Sequence, residues 1–287
     1  MAGSATSGLL TVGAALASEE IDRAEAGYLL RAATGANLAQ LIAHPERHLH
    51  GHEKQRFLDL VIRRRAGEPI AYLTGCREFY GLAFEVTPAV LIPRPETELL
   101  VELALQRLPE DGRLRVLDLG VGSGAIGLSI AVMRRRIDLV AVDISEEALA
   151  VASRNCERLI RDRSRVRMLA SDWYTALDGE RFDLIVSNPP YVAAGDPHLV
   201  QGDLRFEPKE ALLGGADGME SIRRIVSGSP GHLNEGGWLL LEHGYDQANA
   251  CRMLLRQAGF SQLVDEKDLA GHRRVCGGRL TAAGHAR

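Results

Sequence analysis

Ser187-Asn188-Pro189-Pro190-Tyr191 carries the densest chemistry in this chain. It follows the apolar run Phe182-Asp183-Leu184-Ile185-Val186, which predicts a buried strand closed by a turn. Proline fixes φ and lacks an N–H, so two in succession end a strand and stiffen the backbone after it. The corner would present the Asn188 amide, free carbonyls and the Tyr191 ring at a strand's carboxyl end, where open α/β sheets place ligands. An amide or exocyclic amino nitrogen is a poor nucleophile because its lone pair is delocalised. The Asn188 side-chain carbonyl and the Pro189 main-chain carbonyl could accept its two N–H groups and draw it toward an attacking geometry. Tyr191 could pack on the planar target or favour a nearby cation. With a good leaving group, no acid–base residue is required. Taken alone, the same residues also fit a rigid turn.

A second constellation lies upstream. Asp118-Leu119-Gly120-Val121-Gly122-Ser123-Gly124 falls at a strand-to-helix turn, where glycines bend the backbone and let a ligand approach it. Asp143 ends the next strand, placed to accept both hydroxyls of a ribose. Gly122, Gly124 and Gly127 fit the dinucleotide pattern with Asp143 at about the expected distance. The same glycines, with an acidic residue two positions ahead, resemble the first motif of S-adenosylmethionine-dependent methyltransferases. That resemblance implies that Asp118 helps position the amino-acid end of the cofactor. It also implies that Asp172 and Trp173 flank the adenine, with a core aromatic as the plain alternative for Trp173. A dehydrogenase has no evident use for Asn188–Tyr191, so methyl transfer is favoured.

Around these motifs the chain alternates strand and helix. Strands are expected at 115–119, 139–143, 166–170, 182–187, 238–242, 261–266 and 272–276, with helices at 124–133, 146–159, 218–227 and 246–257. This pattern argues for a parallel-type sheet covered on both faces. Ahead of it, a helical bundle is expected over 18–75, its first helix capped by Ser18-Glu19-Glu20 and stopped at Gly35. A β-hairpin and linker come next, over 76–96. There Pro93-Arg94-Pro95 forms a rigid arm that would fold Arg94 over the site's mouth on the substrate side. The next helix would be capped by Thr97 or by the Glu96 and Glu98 carboxylates. Residues 97–279 form the catalytic domain. Residues 1–17 are expected to be a disordered lead and 280–287 a tail.

Bulk properties narrow the function. The 287 residues carry 34 basic and 38 acidic side chains, net −4, which opposes a general nucleic-acid binder. Arg63–Arg65 and Arg134–Arg136 could touch an RNA or acidic partner, but a solvated helix face is the plainer reading. Cys76, Cys156, Cys251 and Cys276 are too dispersed for a zinc site or disulfide framework, so a reducing, cytoplasmic setting is expected. His44, His48, His50 and His52 lack a carboxylate or cysteine to complete a metal site, and no metal is expected. The apolar stretch Leu9–Ala17 is too short to span a bilayer.

Five motifs then resemble one family closely. They are Gly67–Gly75, Leu91–Glu98 (LIPRPETE), Ser187–Tyr191, Arg205-Phe206-Glu207-Pro208 and Leu241–Tyr245. Together, over residues 20–278, they resemble the peptide chain release factor glutamine methyltransferases. Val121 stands where that family often has threonine, a change a backbone-lined loop tolerates. The resemblance implies a Rossmann-like class I methyltransferase domain behind a helical domain that helps hold a class 1 release factor. It implies S-adenosyl-L-methionine as cofactor and the glutamine of the Gly-Gly-Gln motif as acceptor. In that picture the cofactor lies across Gly120, Val121, Gly122, Ser123 and Gly124, with Asp143 on the ribose. Asn188, Pro189, Pro190 and Tyr191 hold the acceptor. A monomer with no membrane and no direct nucleic-acid requirement is expected. The rivals are N-methylation of an exocyclic amino group in DNA or RNA, a non-catalytic nucleotide-binding scaffold, and a nicotinamide dehydrogenase.

Overall fold

The computed structural model describes residues 10–281. They form two compact units: one runs to Cys76 and includes Val200–Phe206, the other comprises Arg77–Leu199 and the chain from Glu207. The first contains helices α1 (Val12–Leu16), α2 (Arg23–Thr34), α3 (Leu38–Ala43), α4 (Gly51–Arg65) and α5 (Ile70–Thr74). Their apolar stripes meet in one core around Leu29, Leu30, Phe57, Leu60 and Val61.

The lead expected to be disordered lies outside the described residues only up to position 9. Beyond it, Val12, Ala15 and Leu16 bury into that core, and Thr11 caps α1 by accepting from the Ala14 N–H at 3.1 Å. Burying this apolar stretch offsets the entropy of ordering it. The cap of α2 is also corrected: Asp22, not Ser18–Glu20, accepts from the Ala24 N–H at 2.8 Å. Gly35 ends the helix at φ 72°, as expected. Arg63, Arg64 and Arg65 pair with Glu68, Glu25 and Glu20 at 2.5, 2.6 and 3.0 Å, so this basic run is matched within its own unit.

The second unit opens on the hairpin β1 (Cys76–Phe79) and β2 (Leu82–Glu85), which reaches back to Cys76, then α6 (Glu98–Arg107). Its sheet comprises β3 (Arg115–Leu119), β4 (Asp138–Asp143), β5 (Val166–Ala170), β6 (Phe182–Ser187), β7 (Leu233–Glu242), β8 (Phe260–Lys267) and β9 (Arg273–Leu280). The strand order is β5-β4-β3-β6-β7-β9-β8. The first five strands pair in parallel, whereas β9 runs antiparallel to both β7 and β8, so the sheet is mixed rather than purely parallel.

Helices α7 (Ala125–Met133), α8 (Glu146–Leu159), α9 (Glu220–His232) and α10 (Ala248–Gln257) complete the fold. Period-two alternation assigns the faces. Val116, Leu184 and Leu240 share a core with α6, α7 and α8, while Leu117, Ile185, Leu239 and Leu241 share the other with α9 and α10. The chain leaves β3 for β4 on one side and returns to β6 on the other. The strand order therefore reverses beside β3, and a crevice opens outside its carboxyl end. Among the described residues, no helix is long and apolar enough to cross a membrane.

Candidate active site

The turn after β3 is shaped by three left-handed residues, Gly120, Gly122 and Gly124, at φ 73°, 54° and 86°. The N–H groups of Gly120 and Val121 both donate to the Val142 carbonyl at 2.9 Å, which pins the loop to the end of β4. Asp143 braces the same loop: Oδ2 accepts from the Gly122 N–H at 2.9 Å and Oδ1 from the Ser145 N–H at 3.0 Å. Burial raises its pKa, and these donated hydrogens oppose the rise. Each carboxylate oxygen keeps a lone pair for a further donor such as a ribose hydroxyl.

A cavity of about 660 Å³ lies over this loop. Gly120, Val121, Gly122, Ser123, Asp143, Asp172, Trp173, Asn188 and Pro190 line it, so most of the expected site residues are brought together. Trp173 sits at φ 53°, a left-handed conformation rare for a bulky residue. The Ser171 hydroxyl donates to its carbonyl at 2.9 Å and holds that turn. Strain of this kind persists where the surroundings over-determine it. Asp172 is paired at 2.7 Å with Arg224, which also lines the cavity. Ile144, 69 % exposed, adds apolar surface to the cavity wall. A volume of this size, walled by apolar side chains with a few aimed polar groups, fits a nucleoside-bearing ligand.

Five expected residues do not line the cavity. Asp118 does not line the cavity: it is 0 % exposed beneath the loop, where Oδ2 accepts from the Gly127 N–H at 2.8 Å. It braces the start of α7 rather than facing the ligand. Gly124 caps α7 behind the loop. Tyr191 turns away from the cleft, and its hydroxyl donates to Glu242 Oε1 at 3.1 Å. Arg94 does not cover the mouth but pairs at 2.6 Å with Glu207, whose side chain has no exposed surface. That pair ties together two walls of the cleft, because Pro88–Pro93 and Pro208–Leu213 both supply lining residues. Pro189 itself is buried, and its peptide leads into cavity-lining Pro190. Close approach makes Gly214 obligatory there, since a Cβ would lie 2.7 Å from the Pro190 carbonyl oxygen.

Asn188 is held in place by its neighbours. The Ser187 hydroxyl donates to the Leu119 carbonyl at 2.7 Å and locks the ends of β6 and β3 together. Asn188 Nδ2 donates to Thr97 Oγ1 at 3.3 Å, and Thr97 Oγ1 donates to Glu242 Oε2 at 2.6 Å. Thr97 occupies the N-cap of α6, but its side chain makes no cap hydrogen bond. The Glu98 carboxylate likewise serves another group, the Tyr80 N–H, at 2.9 Å. The helix-cap expectation for Thr97 and Glu98 is therefore corrected: tertiary partners claim both side chains. Glu242, 1 % exposed, is the polar member that sequence reasoning left without a role. A carboxylate directly after the buried run Leu239–Leu241 was the available signal, because a charge in that setting needs partners.

The methyltransferase small domain matches residues 96–204, and the PrmC N-terminal domain matches residues 10–75. A release factor glutamine methyltransferase of Burkholderia pseudomallei is 51% identical over 269 residues, 92% of this chain and 94% of that one. The Bordetella pertussis protein of the same name is 50% identical over 266 residues, 92% of this chain and 97% of that one. Among solved structures, the T. thermophilus 16S rRNA N2 G1207 methyltransferase in complex with AdoMet and guanosine aligns at TM-score 0.52 and 25% identity, over 71% of this chain and 49% of that one. About half of the aligned residues are shared with these relatives along nearly the whole length of both chains, which leads to one conclusion: this chain belongs to the release factor glutamine methyltransferase family.

Proposed function

We propose that this protein methylates the side-chain amide nitrogen of the glutamine in the Gly-Gly-Gln motif of class 1 peptide chain release factors, with S-adenosyl-L-methionine as donor. The observation that carries this is Asn188, fixed on the wall of the same cavity that the glycine loop and Asp143 floor. Bound there, the donor would supply a sulfonium methyl carbon for the substrate nitrogen to attack in line, with the neutral thioether as the leaving group.

The chain's own residues bind and orient. Asp143 takes the ribose hydroxyls, and Gly120–Ser123 lie against the donor's backbone-facing side. Trp173, Ile144 and Asp172 surround the adenine, with Arg224 holding Asp172 in place. Asn188 Oδ1 accepts one N–H of the substrate amide, and the Pro189 carbonyl, in the peptide leading to cavity-lining Pro190, accepts the other. Two acceptors on one planar nitrogen aim its lone pair at the methyl and stabilise the positive charge that grows on it. The nitrogen's extra proton leaves after the N–C bond has formed. Catalysis is then positioning and fixed electrostatics. The helical unit is the release-factor-holding part, and the protein acts as a cytoplasmic monomer without a direct nucleic-acid requirement.

The test is methyl transfer from labelled S-adenosylmethionine to a release factor, to a release factor with its motif glutamine changed to alanine, and to DNA and rRNA. Label on the intact factor alone is the expected result. Label on nucleic acid instead would retain the cleft chemistry and overturn the acceptor.

A further inference from the structure

A carboxamide has nearly the same shape whichever way round it sits, but its two ends are chemically opposite. In the proposed function, on which this inference rests, Asn188 accepts a substrate N–H. Something must then keep its oxygen and not its NH₂ toward the cleft. The cleft itself cannot do so before substrate arrives. The selecting group has to be a fixed contact from the protein itself.

That contact is Thr97, 3 % exposed at the edge of the same cavity, with a single hydroxyl proton. An ionised Glu242 only accepts hydrogen bonds. It receives the Thr97 hydroxyl on Oε2 at 2.6 Å and the Tyr191 hydroxyl on Oε1 at 3.1 Å. With its one proton committed to Glu242, Thr97 Oγ1 can only accept from Asn188. The amide must therefore turn its Nδ2 to Thr97 and leave Oδ1 for the cleft. If Glu242 is protonated on Oε2, the order reverses. The carboxylic acid donates to Thr97, the Thr97 proton is freed toward Asn188, and the amide settles with its NH₂ facing the substrate. An NH₂ opposed to a substrate NH₂ repels it.

We propose that Glu242, acting through the Thr97 hydroxyl, is a positioning residue that sets which end of the Asn188 amide faces the substrate. The four side chains come from the segment ahead of α6, the corner after β6 and the end of β7, so the fold alone assembles them. Several groups set the charge state of Glu242. Burial raises its pKa; the Thr97 and Tyr191 hydroxyls and the Arg274 guanidinium on β9 lower it, and Glu96 raises it. His243, the adjacent residue, is itself buried and has its pKa lowered by that burial. The acid limb of the reaction should accordingly lie above the ordinary carboxylate range.

The test compares wild type with Thr97→Val, Thr97→Ser, Glu242→Gln and Asn188→Ala on intact release factor between pH 5 and 9, with donor affinity and Tm measured on each. Thr97→Val keeps the shape and removes the relay. It should lower kcat up to about 100-fold, the scale of a misaligned reacting group, with donor affinity unchanged. Thr97→Ser restores the hydroxyl and should return kcat to near wild type. Glu242→Gln mimics the protonated acid, so its kcat should be low and lack the acid limb of the wild type. Wild-type kcat in Thr97→Val beside an inactive Asn188→Ala would overturn the relay and leave Asn188 as acceptor. Activity in Asn188→Ala would overturn the acceptor assignment itself. An unchanged acid limb in Glu242→Gln would also overturn the relay; should that variant not fold, the Thr97→Val and Thr97→Ser pair decides.

Discussion

Asp118 is a carboxyl in a place that does not suit a charge. It is 0 % exposed, Oδ2 accepts from the Gly127 N–H at 2.8 Å, and Oδ1 has no hydrogen-bond partner among the described residues. Burial raises its pKa from 3.8 to about 7; the Gly127 N–H opposes this and the charge of Asp143 adds to it. A folded-state pKa above the unfolded one means that the folded chain holds the proton more tightly. The contribution of Asp118 to stability is therefore complete below about pH 4 and is lost as pH rises toward 7. At about 1.4 kcal/mol per pH unit across that window, the ionised carboxylate costs on the order of 4 kcal/mol above pH 7. Asp118→Asn removes the titration and keeps the acceptor for Gly127. Its new Nδ2–H would be buried without an acceptor, a penalty of about 1–3 kcal/mol that is the same at every pH. The stability of Asp118→Asn relative to wild type should therefore climb by up to about 4 kcal/mol between pH 4 and 8. Urea unfolding followed by tryptophan fluorescence reads this directly, because Trp173 and Trp238 both lie in the second unit. Two stability–pH curves that run parallel would refute a carboxyl that titrates near neutrality.

Asn188→Ala removes one fixed acceptor from the reacting nitrogen. Turnover should fall roughly 10²–10³-fold with donor affinity near normal, checked by labelled methyl transfer beside calorimetry. Asp143→Ala should act on the other step, weakening donor binding about tenfold to a hundredfold, the weight of one or two hydrogen bonds to a charged acceptor. Unchanged affinity by calorimetry would remove Asp143 from the ribose. Arg94→Met takes the guanidinium from a carboxylate with no exposed surface and should destabilise the second unit by about 2–4 kcal/mol in the same fluorescence experiment.

The features readable in the sequence are those that a few adjacent residues decide. Two prolines end β6 whatever surrounds them, and three glycines permit the left-handed turn after β3 on their own account. Short apolar runs announce the strands of the central sheet, and the order of the motifs along the chain follows the order of the strands. Together with the resemblance to methyltransferase motifs, that was enough to place the glycine loop, Asp143, Asp172, Trp173 and Asn188 on one cleft. The antiparallel run of β9 was not legible, because the apolar pattern of a strand does not reveal its direction.

What only the tertiary structure decided are the pairings between distant residues. Arg94 looks like the charge on a rigid arm over the site's mouth until Glu207, 113 positions away, is found paired with it. Thr97 looks like a helix cap until Glu242, 145 positions away, claims its hydroxyl and so orients Asn188. Tyr191 and Asp118 look like ligand-facing groups in their motifs, yet one turns to Glu242 and the other lies under the loop. Val200–Phe206, in the middle of the catalytic sequence, belongs to the helical unit, where Arg205 donates to the Ala66 carbonyl at 2.7 Å. Backbone geometry depends on near neighbours in the chain, so sequence carries it. The partner of a buried charge or hydroxyl depends on which distant segments packing brings within about 3 Å, and no local pattern encodes that distance.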